Sequence, residues 1–255
     1  LSFVIVVAVA LGSIFIIETF VYTDDNKNGT VSGITSSIDN VSSKPDKPEP
    51  ITKVSTATVV ATGDLLMHEP IITNSKFDEG YNFDSIFTYF KEYVSKADYA
   101  IANLETTLRG TEDGYKYSGY PQFNCPDSIV DAVKTAGFDM LLTANNHSYD
   151  TRFKGMMRTL EVIDEKGLDR LGITKDETEK KYVIKDINGI KLGMICYTYE
   201  TDTDPDEVAL NGIQVSNDAE KLLNAFSYAE LDTFYQNIKG QFDEMKSDGA
   251  EALVL

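Results

Sequence analysis

Histidine and cysteine are nearly missing from this chain, with two of each in 255 residues. Cys125 and Cys196 lie far apart and form no Cys-x-x-Cys pair, which excludes a zinc knuckle and a thioredoxin-like redox motif. Two readings remain for them: one disulfide outside the cytoplasm, or two small buried apolar side chains. Basic residues are also scarce. The chain has 23 Lys and Arg against 41 Asp and Glu, a formal net charge of −18. Such a chain lacks the basic surface that a nucleic-acid backbone demands, so nucleic acid is not an expected partner. The acidity reads first as a solvated face, and an affinity for cations is the sharper alternative. No internal repeat is visible. A hydrophobic content of 42% is ordinary for a globular protein, and the length leaves room for one or two domains with a buried core.

One long apolar run stands out. "LSFVIVVAVALGSIFIIETFVY" carries a single charge, Glu18, near its far end. A membrane-crossing helix needs roughly 20 apolar residues, and this run has about that many. A cleaved signal peptide has a shorter apolar core and a small-residue cleavage site after it, and no such site follows here. Residues 1–22 are therefore expected to be a transmembrane anchor. Asp24 and Asp25, with no basic cluster beside them, suit a remainder on the extracytoplasmic face. Residues 23–53, rich in Ser, Thr, Asn, Asp, Gly and Pro, have no periodic apolar face and read as a flexible linker. As a coil it would span on the order of 30 Å.

From Val54 the pattern changes. "VSTATVVATGD" is a β-branched run ending in Gly-Asp, and "ADYAIANLE" is a second strand-like run. "PDSIVDAVKTAG" reads as a helix stopped by Gly137, followed by the strand of "FDMLLTANNH". "GMMRTLEVIDEKG" is a further helix. "KYVIKDINGIKLGMICYTY" reads as two strands around the turn Asn188-Gly189. "LDTFYQNIKGQFDEMKSDG" is an amphipathic helix, and "AEALVL" opens another strand. Strands alternating with helices indicate the α/β class, with residues 54–255 as its domain.

Three of these strands end in polar residues: Asp64, then Asn103 and Glu105, then Asn145, Asn146 and His147. In α/β sheets, sites gather beyond the carboxyl ends of the strands, so one shared pocket is expected. Oxygen and imidazole donors without thiolate suit a divalent Mn, Fe, Zn or Mg ion. A bound cation would lower the pKa of water and make hydroxide near neutral pH. Blander readings exist for each residue. Gly-Asp is often only a turn, Glu105 could be a loop acid, and His68 could be a plain loop residue. Asn145-Asn146-His147 could form an Asx-turn, with Asp150 capping the next helix. Joint occurrence is the stronger argument, because both histidines of the chain fall in these stretches.

"ATGDLLMHEPII", "YAIANLETTL" and "NCPDSIVDAVKTAGFDMLLTANNHSYDTRFKGMMRTLEVIDEKGLDRLGI" together resemble the bacterial capsule synthesis CapA family, also called the poly-γ-glutamate, PgsA-type family. The likeness runs in order over about residues 56–200. It implies a calcineurin-like metallophosphoesterase fold of two β-sheets packed face to face with helices outside. It also implies a site with Asp64 as first metal ligand, Glu105 as bridging acid and Asn146 as ligand asparagine. His147 would contact phosphate or protonate the leaving group, Asp150 would orient His147, and His68, with Asn103 and Asn145, would line the pocket. The metal implied is Mn, Fe or Zn, and the partners are membrane proteins of capsule or polyglutamate synthesis. Such a centre uses further histidines, and none follows His147, so a C-terminally incomplete domain holding half of the ligands is expected. Two functions follow. One is a membrane-anchored protein of capsule or poly-γ-glutamate synthesis or export; the other is a metal-dependent phosphoesterase or related hydrolase of the cell envelope.

Overall fold

The computed structural model describes residues 54–201 and 208–255, together with three short N-terminal strands, Val6–Val9, Ile14–Glu18 and Tyr22–Thr23. The architecture is mixed α/β. Four parallel strands, Val59–Asp64, Tyr99–Asn103, Met140–Leu142 and Asp169–Leu171, lie side by side in that order. Their sequence order equals their spatial order, so each delivers its carboxyl end to the same edge of the sheet.

Alternation along these strands decides which layer each side chain enters, because neighbouring strand residues point to opposite faces. Ala100, Ala102 and Leu141 face a helical layer and pack with Ile129, Val130, Val133 and Ile163. Tyr99, Ile101 and Met140 face the other way and meet Ile187, Ile190, Leu192 and Met194. Those last residues belong to a second, three-stranded sheet of Val183–Ile187, Ile190–Met194 and Ala252–Val254. Two sheets thus share one apolar core, with helices on the outer face of the larger one.

Local chemistry accounts for the elements. The helix Ser128–Ala136 buries Ile129, Val130, Ala132, Val133 and Ala136, and Gly137 ends it in the left-handed region at φ 104°. The helix Arg152–Glu165 buries Met156, Thr159, Leu160 and Ile163. Asn188 and Gly189, both at positive φ, close a two-residue hairpin in which Ile187 pairs with Ile190. The helix Leu231–Ser247 crosses over to Ala252–Val254, which lies parallel to Ile190–Met194.

Among the described residues no helix is long and apolar enough to cross a membrane. Within the run expected to be an anchor, Val6–Val9 and Ile14–Glu18 form an antiparallel pair, and the second lies alongside Val59–Thr62 at the edge of the large sheet. The remainder of that run, and the expected linker apart from Thr23, lie outside the described residues.

Candidate functional site

Where the first three parallel strands end, side chains from all three meet. Asn103 joins them: its Nδ2 donates to Asp64 Oδ1 at 2.8 Å, and its Oδ1 accepts from Asn145 Nδ2 at 3.0 Å. Asn145 is saturated. Its amide also donates to the Leu104 carbonyl at 2.9 Å, and its Oδ1 accepts from the His147 backbone N–H at 3.1 Å. Ser148 Oγ accepts from Asn145 N at 2.8 Å and donates to the Thr143 carbonyl at 2.6 Å. The turn Asn145–Ser148 is therefore locked from within. Behind it the chain leaves the fourth strand through Gly172, at φ 120°. A Cβ there would sit 2.6 Å from the Ala144 backbone nitrogen, so only glycine allows this approach.

His147 is buried within this turn, at 7% exposure, and its ring is held on several sides. Nδ1 lies 2.8 Å from Asp150 Oδ2, which also accepts from the Phe123 N–H at 2.6 Å. A carboxylate at Nδ1 selects the tautomer with the proton on Nδ1 and leaves the Nε2 lone pair free. Nε2 lies 4.0 Å from Glu105 Oε1. Phe123 stands edge-on between the two histidines, with ring centroids 4.6 Å from His147 and 5.1 Å from His68. Asp150 caps no helix: Thr151 occupies the N-cap of the helix that follows, without a side-chain cap, and Asp150 is spent on His147 and Phe123. His68 is exposed and precedes the short helix Glu69–Asn74.

Electrostatics focus on Glu105. Its carboxyl is pushed up to about 7, first by burial and then by the hydrogen bond and negative charge of Asp64; the imidazole of His147 opposes this. Two acids in one another's field, one of them buried, form a site that a cation would relieve. The donor set of Asp64, Glu105, His147 Nε2 and the surrounding amides fits a divalent ion in kind. In number it is thin: among the described residues no group of three or more His, Cys, Asp and Glu side chains is arranged to hold one.

The eight singled-out residues do not all sit alike. Asp64, Asn103, Asn145, His147 and Asp150 form one hydrogen-bonded chain, with Glu105 beside it. Asn146 turns its amide elsewhere, donating to Asn211 Oδ1 at 3.3 Å. His68 reaches the group only through Phe123. Phe123 and Asn211 are the neighbours that strand-end reasoning misses. Phe123 carries no sequence signal of its role. Asn211 precedes Gly212, so an Asn-Gly turn was legible there, although its target was not.

The two cysteines are free. Burial raises both thiols, Cys196 to about 11, as expected of apolar packing residues rather than reactive ones.

Comparison with known proteins covers this whole region. Residues 58–255 match the family described as bacterial capsule synthesis protein PGA_cap. The capsule biosynthesis protein CapA of Bacillus anthracis is 28% identical over 146 residues, which is 55% of this chain and 34% of that protein. Two uncharacterized proteins of Sinorhizobium fredii, y4sH and y4uA, are each 28% identical over 128 residues, 48% of this chain and 26% of theirs. The matched stretches thus span about a third or less of these relatives. With a family match over most of its length, enclosing every strand end that builds the site, this chain belongs to the PGA_cap family of bacterial capsule synthesis proteins.

Proposed function

We propose that this protein serves capsule or poly-γ-glutamate synthesis or export from the extracytoplasmic face of the membrane, through a metallophosphoesterase-like site that takes a divalent Mn, Fe or Zn ion. The observation that carries this reading is the convergence of Asp64, Glu105 and the His147–Asp150 pair beyond three adjacent parallel strands. Asp64 and Glu105 would hold the ion, with Asn146 offering the Oδ1 that its Nδ2 contact with Asn211 does not use, and the bound ion would supply a nucleophilic hydroxide near neutral pH. The chain's own contribution is positional. Asp150 keeps the His147 proton on Nδ1, Nε2 faces the acids, and Asn103 and Asn145 hold the strand ends in register. With Asp150 holding the Nδ1 proton, the bare Nε2 can accept a proton, and once Nε2 carries a proton as well, His147 can donate to a phosphate oxygen or to a departing group.

The apolar run of residues 1–22 is the proposed anchor and residues 23–53 the tether, with membrane proteins of the same synthesis system as partners. Extraction at alkaline pH separates integral from peripheral proteins. Retention in the membrane pellet supports the anchor; release supports a run that stays with the sheet edge as strands.

A second reading is a phosphoesterase acting on an envelope substrate, and the crowded acids favour it. Elemental mass spectrometry on the purified protein, beside an Asp64→Ala/His147→Ala variant, tests the site. Near-stoichiometric metal lost in the variant supports it, and a folded protein without metal in either form overturns it. Phosphodiester hydrolysis by the parent, abolished in the variant, decides for the enzyme. Normal polymer export by the variant decides for a scaffold role.

A further inference from the structure

The contact that reaches His147 from furthest along the chain comes from a hairpin on its far side. Ala209–Leu210 pairs antiparallel with Ile213–Gln214, and Asn211 and Gly212, at φ 50° and 70°, form the turn. The base of this hairpin is well held. Leu210 is fully buried in the apolar cluster that also contains Ala144, Tyr149, Met156 and Ile173. The Tyr149 hydroxyl lies 3.1 Å from Ser216 Oγ just beyond. The tip is therefore a fixed point rather than a free loop end.

From that tip the Asn211 side chain meets the Asn146–His147 backbone and ring at once. Nδ2 donates to the Asn146 carbonyl at 2.9 Å, and Oδ1 accepts from Asn146 Nδ2 at 3.3 Å. Both contacts agree on which end of the amide is nitrogen, because a carbonyl can only accept and an NH2 group can only donate. The same Nδ2 lies 3.1 Å from His147 Nδ1 and 3.3 Å from Nε2. At nearly equal distance from both ring nitrogens, the amide packs over the ring face and leaves the in-plane Nε2 lone pair free. The imidazole is thus bounded by Asp150 at Nδ1, the Phe123 ring edge-on, and the Asn211 amide.

We propose that Asn211 is a positioning residue for His147, clamping the Asn146–His147 turn to the hairpin so that Nε2 is held towards Glu105. The proposal rests on His147 being the group that meets the substrate. Asp150 selects the tautomer, and Asn211 fixes where the ring stands.

Asn211→Gly tests this without straining the turn, because glycine accepts φ 50° freely and only the amide is lost. Asn211→Asp is the second variant: it tolerates the same backbone but cannot donate to the Asn146 carbonyl. With two histidines in the chain, long-range proton–nitrogen spectra of the imidazoles report on His147 directly. His68 is the internal reference, assigned with His68→Gln. The parent should show one sharp tautomer for His147, protonated at Nδ1. Both variants should keep the Nδ1-protonated tautomer but show shifted or broadened His147 signals as the ring loses its fixed position, with the His68 signals and the fold unchanged. Hydrolysis of bis-p-nitrophenyl phosphate should fall about ten-fold in kcat with KM little changed. A His147 spectrum identical to the parent's in both folded variants overturns the proposal. A parent that hydrolyses nothing overturns the enzymatic reading, while the spectra still decide the role of Asn211.

Discussion

The same three strands build two regions of opposite character. Between the sheets lies a cleft of about 460 Å³ lined by side chains such as Val59, Ala61, Ile101, Leu142, Met194 and Val254. Beyond the carboxyl ends of the same strands lies the network of Asp64, Asn103, Glu105, Asn145 and His147. Ile101 and Asn103 differ by two positions on one strand, and Ala61 and Asp64 by three. The cleft derives its worth from area removed from water, a non-directional effect that tolerates imperfect fit. The strand ends depend on donors and acceptors aimed at one another, where each lost partner leaves another polar group unsatisfied. Apolar packing is concentrated in the strand bodies, and directed hydrogen bonds among polar groups lie just past them.

Substitutions along this line sharpen the contrast. Ile101→Asp would bury an unpaired charge between the sheets. It should cost more than about 4 kcal/mol and leave little folded protein, as measured by urea denaturation. Asp150→Ala would strip an acceptor from the His147 ring and from the Phe123 N–H. It should cost about 2 kcal/mol in the same assay and release the His147 tautomer. Asn103→Ala, at a half-buried strand end, should cost about 1 kcal/mol and loosen Asp64 relative to Asn145. Asp64→Ala removes an exposed carboxylate and should change stability by less than about 0.5 kcal/mol while abolishing metal uptake. The contrast would break if Asp64→Ala destabilised the fold as strongly as Ile101→Asp.

How much was legible in advance follows from the range of the interactions. The Asn188-Gly189 hairpin and the helix ended by Gly137 were readable because a positive φ at a known place is a local demand that few residues meet. That three polar strand ends come together was readable, since parallel strands in one sheet place their carboxyl ends on one edge. The partners within the site were not. That Asn145 joins the strands while Asn146 faces a hairpin depends on how the Asn145–Ser148 turn is placed by the close approach of Gly172 to Ala144 just before it. That Phe123 separates two histidines depends on the path of a loop without periodicity. Asn211 stands 64 residues from His147, beyond the reach of any local pattern.

What the sequence determined by itself was the alternation of strand and helix, the turns that join them, the acidity of the surface and the residue types available for chemistry. All of these follow from local stereochemistry and from the periodic burial of apolar side chains. Only the tertiary structure decided which polar residues touch. It set Asp150 against His147 rather than on a helix cap, made Asn145 the link between strands, and brought Asn211 across to the imidazole. The physical reason is that hydrogen bonds are short and directional, so a partner is chosen by where the packed strands and loops bring each side chain, and that is a property of the whole fold.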